Sequence, residues 1–283
     1  MTNDRPRTTD RAELWLPLLR SFSNVSSSFV VWKNVESALY GTGDIDAAAK
    51  RDDWPVLVGE FRRWAEDAGV GPVVVCEHIP GGINMIAVAP SLDSFLEVGL
   101  KERRLWRGAT LFHVEDLRSL IYEDARGFRS VRPGAEGAFK LLLNGTRYGG
   151  RKNREAIRSK GVVENLRADP AGVEAASPLV GPARGALVRG ARAAAAGGWD
   201  RPAMLMVESW AVMRAMSDLR MLVRRMYFKL VRTQTCPVVK AILRQGRTIP
   251  GDMAEWLDDV ATNHAVYGTL APRAGGPGAA DQP

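Results

Sequence analysis

Cysteine is nearly missing: the 283 residues hold two, Cys76 and Cys236. Thiols so few and so far apart cannot staple a small disulfide scaffold. They read as separate thiols of a protein in a reducing cytoplasm. The three histidines, His78, His113 and His264, are scattered, and no His/Cys/Asp spacing suggests a zinc site. Long apolar runs are also lacking. The most apolar stretches, PVVVC and the arginine-interrupted ALVRGARAAAA, are far shorter than the roughly 20 residues that cross a bilayer, so no membrane contact is expected. The first residues, MTNDRPRTTDRAE, have no apolar signal-peptide centre. What remains is an ordinary globular composition, 46% hydrophobic and 25% charged, enough for one large or two modest domains.

The net charge of +7 is uneven. Residues 1–130 carry 16 Lys and Arg against 19 Asp and Glu, whereas residues 131–283 carry 23 against 13. A basic surface attracts nucleotide phosphates, nucleic acid or an acidic partner, so nucleic-acid binding through the basic half stays open without being favoured.

Periodicity divides the chain at the same place. Residues 11–22, RAELWLPLLRSF, read as an amphipathic helix with Pro17 near its first turn or kinking it. SSSFVVWKN predicts a strand, ESALYG a short turn and DIDAAA a second strand. Asp53 is placed to cap a helix over WPVLVGEFRRWAEDAG, whose Trp54, Leu57, Val58, Phe61, Trp64 and Ala65 share one face. PVVVCEHI and INMIAVA predict two more strands, and SFLEVGLKERRLWRG a fifth that continues through ATLFHV. Beyond Arg132 helical spacing takes over: Gly134 to Asn144, Arg151 to Arg167, Pro182 to Ala196, a long Arg201 to Thr235, and a short Met253 to His264. The methionine-rich stripe of the long segment reads as core. The expected fold is α+β, with a mixed-sheet domain at 1–132, a helical domain at 133–267 and a disordered tail at 268–283.

The chemistry-bearing stretch is FVVWKNVESALYGTGDIDAAA. In a strand, Asp44 and Asp46 point to the same face and Ile45 to the other. Two adjacent carboxylates in an apolar setting need a neutraliser, and Mg²⁺ (or Mn²⁺) is the natural one. The plainer alternative is a polar strand mouth or an acidic turn. Strand WKN, a turn and GTGDID together resemble the nucleotidyltransferase superfamily that includes DNA polymerase β, in particular an uncharacterised subgroup with a Gly-Asp-Ile-Asp motif. The resemblance covers roughly residues 25–125.

The resemblance implies Mg²⁺-dependent transfer of a nucleotide from a nucleoside triphosphate to an unidentified hydroxyl or phosphate acceptor. Asp44 and Asp46 would bind the metal, and Glu97 would serve as the third acid. Lys33, Asn34 and Gly43 would lie near the triphosphate. Two departures stand out. Gly99 takes the place of the usual aspartate, with Glu97 two residues earlier on the same strand face. Lys33-Asn34 replaces the small residues that let phosphates approach the backbone. These departures keep a second class open, a catalytically inactive nucleotidyltransferase fold acting as a binding or regulatory module. NGTRYGGRKNR, with Arg147 and Arg151, reads either as a triphosphate-holding loop or as an exposed basic helix cap. KERRLWRG reads either as a nucleic-acid contact stacking through Trp106 or as a basic strand edge.

Two structural expectations follow from the motif. Asp44 and Asp46 should sit together at one edge of a sheet of about five strands, with Glu97 on an adjacent strand. Because like charges repel, Asp46→Asn should leave the metal-free protein no less stable.

Overall fold

Trp15, Leu18, Leu19 and Phe22 recur at helical spacing and form the buried side of α1 (Arg11–Val25), with Pro17 inside the helix. The structure is a computed structural model and describes residues 11–41, 43–71, 73–79, 81–89, 94–145 and 161–227. After α1 come β1 (Val30–Lys33), α2 (Val35–Tyr40), β2 (Ile45–Ala48) and α3 (Trp54–Asp67). The six apolar positions expected on one face of α3 are all buried. Asp53 does not cap that helix with its side chain. Its carboxylate instead accepts hydrogen bonds from the Ser26 and Ser28 hydroxyls at 2.6 and 2.5 Å, tying α3 to the entrance of β1.

β3 (Val73–Ile79), β4 (Gly82–Ala89) and β5 (Ser94–Lys101) follow as expected. The chain then departs from the reading of one long fifth strand. It bends at Glu102 and forms a separate hairpin, β6 (Arg103–Trp106) and β7 (Ala109–His113). Arg107 and Gly108 both have positive φ, 53° and 98°, the backbone of a two-residue hairpin turn whose twist suits the flanking strands. A 3₁₀ segment leads to a second hairpin that the alternation pattern did not reveal, β8 (Ile121–Asp124) and β9 (Phe128–Val131).

Seven strands form the main sheet in the order β3-β4-β5-β2-β1-β9-β8. β2 is antiparallel to β1 and parallel to β5, and β9 runs parallel to β1. The strand that carries Asp46 is therefore central, not at the edge expected from five strands. The late hairpin adds β9 and β8 beyond β1, and β5 to β3 extend the other side.

Helices α1, α2 and α3 cover one face of the sheet through Val31, Ile45, Ala47, Val98 and Leu100. Val30, Trp32 and Ala48 point to the opposite face. There they share a core with the β6–β7 hairpin and with α4 (Pro133–Gly145), α5 (Val162–Ala168), α6 (Pro170–Ala176), α7 (Arg184–Ala195) and α8 (Arg201–Met216). The described part of the chain after Arg132 is helical, in agreement with the periodicity. Asp169 anchors this half: it caps α6 by accepting from the Gly172 N–H at 2.9 Å and receives Arg132 at 2.6 Å.

The long helix expected from Arg201 breaks after Met216. The Asp218 carboxylate accepts the Met221 N–H at 3.0 Å and starts α9 (Leu219–Tyr227). The methionine stripe is split in consequence. Met204, Val207 and Trp210 are buried, whereas Met213, Met216, Leu219 and Met226 are exposed and not core. Residues 253–264 and the tail from 268 lie outside the described residues. Among the described residues, no helix is long and apolar enough to cross a membrane.

Candidate functional site

A β-bulge decides what β1 presents. Pairing with β2 shifts between Val31 and Lys33, so Lys33 comes opposite Asp46 and its ammonium reaches that carboxylate. The next residue, Asn34, has left-handed backbone (φ 72°), a conformation that asparagine tolerates better than most residues. Its amide N–H donates to Glu136 Oε1 at 2.8 Å, and Lys140 pairs with the same carboxylate at 2.7 Å. The backbone donor at the end of β1, where the resemblance implies contact with phosphates, is thus engaged by the first turn of α4. Gly43 closes the other side of the turn. Its carbonyl accepts Arg11 Nη2 at 3.0 Å, and an added Cβ would lie 2.4 Å from Ser37 Oγ.

Asp46 is buried and both of its oxygens are in use. Oδ1 lies 2.9 Å from Lys101 Nζ, while Oδ2 lies 3.0 Å from Lys33 Nζ and accepts Asn34 Nδ2 at 3.1 Å. Parallel pairing of β2 with β5 explains how Lys101 arrives. Asp46 faces Gly99 and Ala48 faces Lys101, so the lysine chain runs back over two small residues. A Cβ on Gly99 would lie 2.9 Å from Lys101 Nζ, 3.4 Å from Asn84 Oδ1 and 3.6 Å from Asp46 Oδ1. Space left by the missing side chain at Gly99 is what admits the ammonium. Trp32 completes the cluster, with Lys33 Nζ, Lys101 Nζ and the Arg104 guanidinium 5.4, 5.8 and 5.6 Å from its ring. An indole face stabilises nearby cations through its quadrupole, most strongly where water is scarce.

The electrostatics follow from this arrangement. Burial pushes the Asp46 carboxyl up, but Lys101, Lys33 and Arg104 outweigh it and hold the group far below the usual carboxylate range. Burial pushes the Lys101 ammonium below the ordinary lysine value, with Asp46 opposing and Arg104 adding to the shift. An unfolded aspartate titrates near ~3.9. Since folding lowers the Asp46 pKa, its contribution to stability is fully present above that value and is lost as pH falls toward the folded pKa. The stability difference between wild type and Asp46→Asn, from urea unfolding, should therefore shrink as pH drops from about 5 to about 2. A difference that stays constant over that window would show that Asp46 is not held by these cations.

The other expected site residues fall less closely together. Asp44 precedes β2, is half-buried, and has no hydrogen bond or ion pair among the described residues. It is not part of the strand, so strand alternation does not set its direction. Glu97 lies on the neighbouring strand β5 as expected, but its carboxylate is buried and accepts Asn84 Nδ2 at 2.6 Å. Arg147 and Arg151 lie outside the described residues. Trp106 is buried, so it offers no stacking face to a nucleic acid. Sequence reasoning missed Lys101, Trp32, Arg104 and Asn84. Gly99-Leu100-Lys101 was the available signal, since residues two apart on a strand share a face and the lysine could serve Asp46 directly.

Mg²⁺ fits poorly with this donor set. Both Asp46 oxygens hold ammonium groups, glycine stands at the position where the resemblance would put a third acid, and Glu97 is bonded to an amide. Among the described residues, no group of three or more His, Cys, Asp or Glu side chains could hold a metal ion. No protein-family model, curated protein or solved structure matches the chain.

Proposed function

We propose that the chain is a nucleotidyltransferase-like module that serves binding or regulation without transferring nucleotides. One observation carries this reading: the two oxygens of Asp46 are occupied by Lys33 and Lys101, at 3.0 and 2.9 Å. A positive charge fixed by the chain itself takes the role that a divalent cation would otherwise have beside that carboxylate. Engagement of the Asn34 N–H by Glu136 supports the same reading, because it removes a donor from the place where phosphates would be cradled.

Nucleotide transfer is the second reading, and a specific observation favours it. Asp44 is half-buried with no partner among the described residues, one position before β2, and Glu97 lies on the strand beside Asp46. In that reading Asp44 and Asp46 would hold Mg²⁺, Glu97 would assist, and Lys33, Asn34 and Gly43 would line the triphosphate.

Incubation with each of the four nucleoside triphosphates and Mg²⁺ or Mn²⁺ decides between them. Pyrophosphate release and thermal unfolding are both followed. The binding-module reading predicts no pyrophosphate and no metal-dependent stabilisation. Metal-dependent release of pyrophosphate that is lost in Asp46→Asn, together with stabilisation of about 2.7 kcal/mol by a ligand at about 100 times its dissociation constant, would establish the transfer reading.

A further inference from the structure

Helix α7 buries one side, and its polar side faces a wall of the same protein. Ala186, Leu187, Gly190, Ala191 and Ala194 are buried, while Gly185, Val188, Arg189 and Arg192, spaced i, i+3, i+4 and i+7, share the other side. Glu174 near the end of α6, followed by Ser177 and Pro178, stands opposite them. The groove between the two holds about 490 Å³, within the roughly 300–1,000 Å³ typical of small-molecule sites. Pro178 and half-buried Val188 give it an apolar lining. A Cβ added at Gly185 would contact nothing within 4 Å, so the groove is open at that point.

We propose that this groove binds a small organic molecule carrying two phosphate groups. Three arginines, Arg184, Arg189 and Arg192, line it against one acid, Glu174. The Arg184 side chain has no hydrogen bond or ion pair among the described residues. Arg192 meets Glu174 at 3.1 Å, with side chains 71 and 59% exposed, and Arg189 meets Asp200 at 3.7 Å. Exposed pairs of this kind hold their partners weakly, so a doubly charged group can take the guanidiniums over. A guanidinium fork matches the oxygens of a phosphate, and one phosphate accepts from two forks at once. Spacing sets the number of phosphates. Arg189 and Arg192 are neighbours on the helix surface and can share one group. Arg184 lies roughly 12 Å of helix rise from Arg192, which leaves it for a second. The groove does not include Asp46, so this inference stands apart from the nucleotidyltransferase-like reading.

Full-length protein is titrated by calorimetry, without added metal, with fructose bisphosphate, fructose monophosphate and inorganic phosphate. The bisphosphate should bind, and the other two should bind at least about tenfold more weakly, since each forgoes a charged contact. Arg184→Gln should weaken the bisphosphate by about tenfold for the same reason. Glu174→Gln should tighten it, because Arg192 is released and a like charge beside the ligand is removed. Gly185→Leu leaves every charge in place and fills the groove, so it should abolish binding. All three positions are exposed, and the melting temperatures should stay close to wild type. Failure of the bisphosphate to bind, equal binding of the monophosphate, weaker binding by Glu174→Gln, or undiminished binding by Gly185→Leu would overturn the proposal. So would binding of a single-stranded oligonucleotide that Gly185→Leu abolishes, which would assign the groove to nucleic acid.

Discussion

Replacing Asp46 by asparagine should destabilise the folded chain by about 3–5 kcal/mol, the usual cost of removing one partner from a buried ion pair. Asparagine keeps the shape of the side chain and removes its charge. Lys101, with 5% of its side chain exposed, and Lys33, with 15%, would then face each other across a neutral amide. Arg104 adds a third cation around Trp32. Repulsion between Asp44 and Asp46 leads to the opposite expectation, since removing one of two like charges relieves strain. Structure reverses the sign because the neighbours that matter are cations, brought to Asp46 by the bulge in β1 and by β5. Urea unfolding at neutral pH measures the effect. A cycle with Lys101→Met separates the pair from general damage: the double variant should recover part of the loss, because the unpaired ammonium that makes the single variant costly is gone. If Asp46→Asn unfolds at or above the wild-type urea concentration, the internal ion pair is not what holds this carboxylate.

Gly99→Asp combined with Lys101→Ala should convert the cluster into a divalent-cation site. The Cβ added at position 99 would lie 3.6 Å from Asp46 Oδ1, and removal of the lysine clears the ammonium that it would meet at 2.9 Å. Two buried carboxylates would then share Lys33 as their remaining close ammonium, an arrangement that is costly without a further cation and stabilised with one. The variant is expected to melt below wild type in chelator. Addition of Mn²⁺ or Mg²⁺ at about 100 times the dissociation constant should restore about 2.7 kcal/mol, whereas wild type should show no metal-dependent change. Gly99→Asp alone should gain little, because Lys101 would neutralise the new carboxylate in place. A wild-type response equal to that of the double variant would mean that Asp46 already gives up its lysines to metal, and would return the site to the transfer reading.

Local pattern alone determined much of this protein. The face of α3 from Trp54 to Ala65 was legible because six large apolar side chains repeat at helical spacing, and burial of such a stripe overrides local detail. The strands around FVVWKN and DIDAAA, the β3–β4 pair and the change to helices after Arg132 were legible for the same reason. The β8–β9 hairpin was not: Tyr122, Glu123 and Asp124 are half-buried or exposed, so its first strand has no strong alternation, and its place beside β1 is fixed by pairing across about a hundred residues. Spacing also could not show which side of α8 and α9 faces outward, because α8 is apolar on both sides and burial depends on what packs there. At the site, the motif marked Asp46 as a carboxylate that needs a counter-charge. Sequence could not say whether that charge would be a metal or a side chain. Lys101 is 55 residues away, and only the register of β5 on β2, with Gly99 and Ala48 leaving room, carries its ammonium to the carboxylate. Charge demand is written in local sequence, whereas its neutralisation is a long-range contact that exists only once the sheet has formed.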